Sequence, residues 1–419
     1  MMSATPTAEI EAALDTPLAA SAPAHWLTPQ LVRVLAAASA WGFAFSTFYL
    51  LPKFLTETVA AGPAEIGLVV GTFGIATVLS TPLAGRCVDR FERRYAMVAG
   101  AILMAIAAAG FLLVRTIGPL VLVLRAMQGA SWALLVTAIG TLVADLAPRE
   151  RLGQALGLSG ASMLVMNAIA PAIAEPLAAL AGWQVVFALA AAAAVVSAAL
   201  AAGVVEPPAT VVPTRGGLLA VLRRPVAMHY ALVIALAGMA FGAVFTFQQP
   251  FALALGRAQV GGFFIAYAGA AILVRVGFGH LPERVGLHRA ALASLVLYAL
   301  VVIAMAGLRP WMLEPLGALF GLAHGVFYPT MNAIALSAVD RDERGRIMAV
   351  FTGAFSLGMW AGATLLGLVA AHFGYPTVFV VAACGVTLAV AVLATSRALR
   401  GIEARPVDPT VEIADVEPL

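Results

Sequence analysis

Charge is scarce in this sequence. Only 11% of its 419 residues are Asp, Glu, Lys or Arg, and Lys53 is the one lysine beside 23 arginines. A soluble domain keeps about 25% of its residues charged, so a fully water-exposed surface is excluded. Cysteine is nearly absent too. Cys87 and Cys384 share no metal or redox spacing, which argues against a disulfide framework or a thiolate site. The sequence also lacks His/Asp metal spacing, a nucleophile elbow and a phosphate-cradling Gly-Lys motif, so no catalytic residue, metal or cofactor is expected. The first 30 residues, with Glu9, Glu11 and Asp15, lack the basic start and apolar core of a signal peptide and read as a disordered tail.

What the chain has instead is apolar surface. Hydrophobic residues make up 62% of it and the mean hydropathy is +0.98, more than any soluble interior hides. The hydropathy pattern predicts twelve membrane spans at 32–55, 65–86, 95–114, 118–142, 153–179 and 183–204, then 226–255, 259–281, 290–307, 311–337, 347–371 and 376–398. Around them fall a tail at 1–31, a linker at 205–225 and a tail at 399–419, which divide the chain into six-span halves 32–204 and 226–398. The Gly217–Arg224 end of the linker reads as a short amphipathic helix.

A net charge of +3 invites a nucleic-acid partner, but the arginines sit one cluster per alternate loop, the mark of membrane orientation. Eighteen basic residues fall on one side, including Arg86, Arg90, Arg93, Arg94, Arg284 and Arg346. Only Lys53, Arg115, Arg257 and Arg309 fall on the other. The bias predicts a multi-pass protein of the cell inner membrane with both termini in the cytoplasm.

The halves repeat each other. Gly85-Arg86-Cys87-Val88-Asp89-Arg90 returns as Gly279-His280-Leu281-Pro282-Glu283-Arg284, with glycine, acid and arginine in register. Gly182-Trp183-Gln184-Val185-Val186-Phe187 returns as Gly374-Tyr375-Pro376-Thr377-Val378-Phe379, and Gln128-Gly129 as His324-Gly325. These loops, with Arg125-x-x-Gln128-Gly129 in the fourth span, resemble the signature motifs of the major facilitator superfamily of secondary transporters. Ala170-Pro171-Ala172-Ile173-Ala174-Glu175 resembles a worn Gly-Pro-x-x-Gly-Gly motif of its drug-type proton antiporters. The resemblance implies an all-α membrane fold of two pseudo-symmetric six-helix halves around a substrate, with spans one, four, seven and ten lining the cavity. It implies a monomer that exports a small organic molecule in exchange for protons. Import by symport or facilitated diffusion is the alternative, and a membrane sensor or enzyme is a remote one.

Three groups of residues are candidates for function. Gly85, Asp89, Arg90 and Arg93 with Asp145, and Gly279, Glu283 and Arg284 with Asp340, form the expected cytoplasmic gate. There a carboxylate accepts bonds from a helix N-terminus of the other half and arginine bridges to a second acid. If not a gate, these charges anchor topology. The expected cavity is lined by Tyr49, Lys53, Arg125, Gln128, Trp132, Gln248, Gln249, His324, Tyr328 and Asn332. His324, Tyr328 and Asn332 share a helical face, as do Arg125, Gln128 and Trp132. Glu175 is the one acid placed inside a span, so it is the expected proton carrier, with Arg125 as its salt-bridge partner at similar depth. His324 is the rival carrier. Lys53 either lines the cavity or snorkels to the headgroups.

Overall fold

Long apolar segments in lipid must satisfy their backbone internally, and this chain does so with helices throughout. The computed structural model describes residues 26–148, 151–206, 225–279, 281–337, 339 and 343–396. Among them, eleven helices are long and apolar enough to cross a membrane, from Pro29–Glu57 to Tyr375–Thr395. The eighth span, Gly262–Phe278, is apolar but only 17 residues long. The expected spans match these helices to within a few residues. The proposed tails up to residue 25 and from 397, and the Gly217–Arg224 helix, lie outside the described residues.

Local chemistry sets several of the ends. Thr28 caps the first span by accepting the N–H of Leu31 at 3.2 Å, and Pro29 follows it at the first helical position. Near the other end of that span the helix tightens to a 3-10 turn at Phe48–Leu50. Pro52 has no N–H for the carbonyl of Phe48, so the α-helical ladder cannot run through unbroken. The repeated glycines also find their reason. Gly182 and Gly374 take φ of 85° and 81° with ψ of 162° and 167°, a region closed to residues with a Cβ, immediately before the sixth and twelfth spans.

Two expectations need correction. The charged stretch Gly85–Arg90 is not loop but the last turns of the second span, Pro63–Arg90, leaving only Phe91 and Glu92 as the turn. Residues 29–31, assigned to a tail, belong to the first helix.

The buried side chains form two clusters, one of residues from Leu31 to Val204 and one centred on residues 227–393. The halves meet where the second span, Pro63–Arg90, packs along the eleventh, Gly345–Phe373, and the fifth, Leu152–Ala181, packs along the eighth. Glycine makes the first of these contacts possible. A Cβ at Gly67 would overlap the carbonyl oxygen of Ala363, and one at Gly71 the hydroxyl of Thr364. Close backbone approach of this kind is how helices associate without a hydrophobic driving force. Both contacts lie toward the arginine-poor end of the molecule.

Candidate functional site

At the arginine-poor end, Glu175 and Lys53 build a latch between the halves. Glu175 sits near the end of the fifth span and is 9% exposed. Its Oε1 accepts Lys53 Nζ at 2.6 Å and the Val260 N–H at 2.8 Å, while Oε2 accepts the Gly261 N–H at 2.7 Å. Val260 and Gly261 open the eighth span, so the carboxylate rests on the electropositive start of a helix from the opposite half. Lys53 also donates to the carbonyl of Ala258, and Glu57 stands 3.7 Å from its ammonium toward the rim. Gly261 must remain glycine for this approach, because a Cβ there would lie 2.6 Å from Glu175 Oε2. Arg257 holds the same loop from behind by bonding Glu314 and the carbonyl of Pro310.

The expected Glu175–Arg125 salt bridge is therefore absent. The physical reason is helix rotation: Arg125 faces the second span, where its Nε reaches the carbonyl of Val69 at 3.3 Å and its Nη2 that of Val70 at 3.5 Å. Its Nη1 donates to Gln128 Oε1 at 2.5 Å, and its guanidinium lies 5.2 Å from the Phe73 ring centroid. Lys53, at the end of the first span, takes the acid instead. It is 7% exposed and bonded, so it does not snorkel.

An aromatic chain runs inward from this region. Trp132 packs on Phe45 at 4.6 Å between centroids, and Phe45 stacks on Trp41 at 5.2 Å. Trp41 is fully buried with its indole N–H on Ser131 Oγ, so it serves packing. Tyr49 bridges the halves, 5.2 Å from Phe245 and 5.4 Å from Phe264. Its carbonyl accepts Gln249 Nε2 at 2.7 Å. Gln248 is fully buried, and among the described residues neither of its amide atoms has a partner.

In the tenth span His324 and Tyr328 do share a face, with rings 5.4 Å apart. His324 is enclosed by Phe241 at 4.9 Å and Phe355 at 6.0 Å, with Nδ1 unpartnered. Tyr328 meets Phe351 edge-on at 4.7 Å. Asn332 Oδ1 is likewise buried without a partner among the described residues.

The arginine-rich end is organised differently. Asp145 pairs with Arg93 at 2.7 Å, so it is Arg93 that reaches the second acid. Asp89, Arg90 and Arg284 are exposed, and Asp89 makes no ion pair among the described residues. Gly85 lies five residues before the end of the second span, and Gly279 at the end of the eighth. Asp340 and the Glu283 side chain lie outside the described residues. Sequence reasoning missed Glu206. Its carboxylate accepts the backbone N–H groups of Arg93, at 3.0 Å, and Arg94, capping the third span. The acid at the mouth of a proline-rich linker was the available signal. Helix-start acceptance by a carboxylate was expected of Asp89; Glu175 and Glu206 provide it.

The family model for the Major Facilitator Superfamily matches residues 33–311 and, in a second match, 230–412. The chain belongs to the major facilitator superfamily. Among its relatives is the multidrug resistance protein MdtG of Dickeya zeae (strain Ech586), 27% identical over 76% of this chain and 80% of that one. Another is the multi-drug resistance efflux pump PmrA of Streptococcus pneumoniae serotype 4 (strain ATCC BAA-334 / TIGR4), 26% identical over 78% and 86%. In fold it is similar to the nucleoside transporter NupG, with TM-score 0.75 at 14% identity over 87% of this chain and 99% of that one. A bacterial homolog of the human lysosomal transporter Spinster, solved inward-facing and unoccupied, gives TM-score 0.76 at 15% identity over 92% and 100%. As a superfamily member this is a multi-pass bacterial membrane protein and a secondary transporter of small organic molecules, not an enzyme.

Proposed function

We propose that the protein exports its substrate in exchange for protons, with Glu175 as the proton site and the Lys53–Glu175 latch as the outer gate. The observation that carries this reading is one buried carboxylate that takes two N–H groups from the opposite half and Lys53 from its own. The arginine bias supports a cytoplasmic arginine-rich end, which makes the latched end external. Relatives named as multidrug resistance and efflux proteins favour export.

The cycle follows from charge. An ionised Glu175 attracts both Lys53 and the start of the eighth span, and holds the outer end shut. Protonation removes that attraction, so the halves part outward and substrate leaves. Closing again requires the carboxylate, so the proton departs as the latch forms, toward the side that is opening.

The test is reconstitution in liposomes under an imposed pH gradient. Glu175→Gln is expected to abolish gradient-driven accumulation and keep substrate exchange, since exchange needs the motion but no net proton movement. Accumulation equal to wild type would reduce Glu175 to a structural residue.

A further inference from the structure

The eighth span ends early. Gly262–Phe278 has 17 residues, about 25 Å at 1.5 Å per residue, against a hydrocarbon core of roughly 30 Å. Arg275 stands in its last turn, at the arginine-rich end, where the bilayer has to thin to meet the helix. It forms no hydrogen bond or ion pair among the described residues, and its Nε is buried without a partner. With Phe278, Leu287, Val326, Pro329 and Thr330 it lines a cavity of about 290 Å³ between the eighth span, the tenth and the start of the ninth. Thr330 is the second observation. It is 2% exposed, and its Oγ1 has no partner among the described residues. Buried threonines elsewhere donate to the carbonyl four residues back, as Thr47 does to Phe43 and Thr77 to Phe73. Thr330 does not, so its hydroxyl stands free on the cavity wall.

This cavity is turned away from the face of the tenth span that carries His324 and Tyr328. At about 100° per residue, Val326 and Ala333, which also lines it, fall roughly opposite His324. The side chains around it face outward: Phe278 is 53% exposed, and Val276 and Pro329 are exposed as well. A cation and a hydroxyl therefore share a pocket whose other walls are apolar. We infer that it binds an anionic phospholipid of the leaflet at the arginine-rich end. The phosphate accepts from the Arg275 guanidinium and the Thr330 hydroxyl, and an acyl chain runs out along Phe278 and Val326. A cation held in a span without a counter-ion is costly, and the phosphate offsets that cost. Free phosphate meets the same two donors but gains nothing from the apolar walls. Because the site lies apart from the latch and the central aromatic chain, the inference does not rest on the export cycle.

The experiment is native mass spectrometry of the full chain in detergent. It is titrated with dioleoyl phosphatidylglycerol, with phosphate-free dioleoylglycerol and with inorganic phosphate. Wild type should hold a first phosphatidylglycerol far more tightly than later ones, and dioleoylglycerol no better than background. Arg275→Gln should weaken that first site about 10- to 100-fold, the range for losing one charge-assisted bond. Arg275→Lys should recover part of the loss, and Thr330→Val should weaken the site less than Arg275→Gln does. Arg289→Gln, which removes an exposed arginine from the start of the ninth span, should cost no more than about fivefold, the share of one surface charge. Val326→Trp fills the cavity with Arg275 in place and should evict the lipid, which decides the matter if Arg275→Gln fails to fold. Equal losses in Arg275→Gln and Arg289→Gln, equal binding of dioleoylglycerol, or a first site that survives Val326→Trp would overturn the proposal. Inorganic phosphate bound through Arg275 with no phosphatidylglycerol retained would overturn the lipid as the ligand.

Discussion

Replacing Glu175 with glutamine exchanges one oxygen for an amide and removes the charge on which the latch rests. The variant keeps one acceptor oxygen, so one of the Val260 and Gly261 N–H bonds can survive. It loses the second, and it loses the ion pair with Lys53, whose side chain is only 9% exposed. Hydrogen bonds to charged groups contribute about 1.5–3 kcal/mol each, and of the bonds to Glu175 only those from Val260 and Gly261 cross the seam, because Lys53 belongs to the same half. At 1.4 kcal/mol per factor of ten, losing one of them should lower the ratio of latched to unlatched molecules roughly 10- to 10²-fold. Spin labels report this directly at Thr58 and Leu255, both exposed and on opposite halves at the latched end. Glu175→Gln should shift the distance distribution to longer values, and so should Lys53→Gln. The exchanged pair Lys53→Glu with Glu175→Lys should not recover wild-type distances, because it sets an ammonium on the start of a helix. An unchanged distribution in Glu175→Gln, or full recovery in the exchanged pair, would refute the latch.

Four further outcomes are expected. Gly71→Leu should wedge the second span from Thr364 and lengthen the same label distance, whereas Gly85→Leu, with open space around it, should not. Gly374→Ala should lower thermal stability by about 1–3 kcal/mol, the cost of a side chain in that backbone region, measured by unfolding in detergent. Asp89→Asn should insert and fold normally yet transport poorly, if the exposed acid docks on the other half only when the cytoplasmic side closes; normal transport would leave it a topology anchor. His324→Ala, Tyr328→Phe and Asn332→Ala should change substrate affinity more than expression, and normal affinity in all three would take this face out of the substrate path.

The sequence was readable where one residue type decides a local outcome. Arginine placement, apolar length and the glycines before the sixth and twelfth spans each report a rule that acts within a turn or two of chain. The Arg93–Asp145 pair was also within reach, since both residues terminate or open spans at one end. The latch was not. Glu175 and Lys53 are 122 residues apart, and their pairing depends on how each helix is rotated about its axis. Depth along a span follows from counting residues, which is why Arg125 looked like the partner. Rotation is set by packing against neighbours such as Phe73 and the close approach of Gly129 to the second span. The other partners of Glu175 are backbone N–H groups, which every sequence supplies and none advertises.

The cap that Glu206 places on the third span has a consequence for how the two halves are joined. It fastens the chain to the first half up to residue 206, with Arg33 and Gln30 holding Gly203 and Val205 beside it. The covalent connection therefore spans only 207–224, which at about 3.3–3.6 Å per residue reaches roughly 65 Å at most. A polypeptide cut inside this segment should behave as two chains that find each other in the bilayer. Co-expressed as separate fragments, residues 1–212 and 213–419 should assemble and transport, whereas a cut placed before Glu206 should release the third span from its cap.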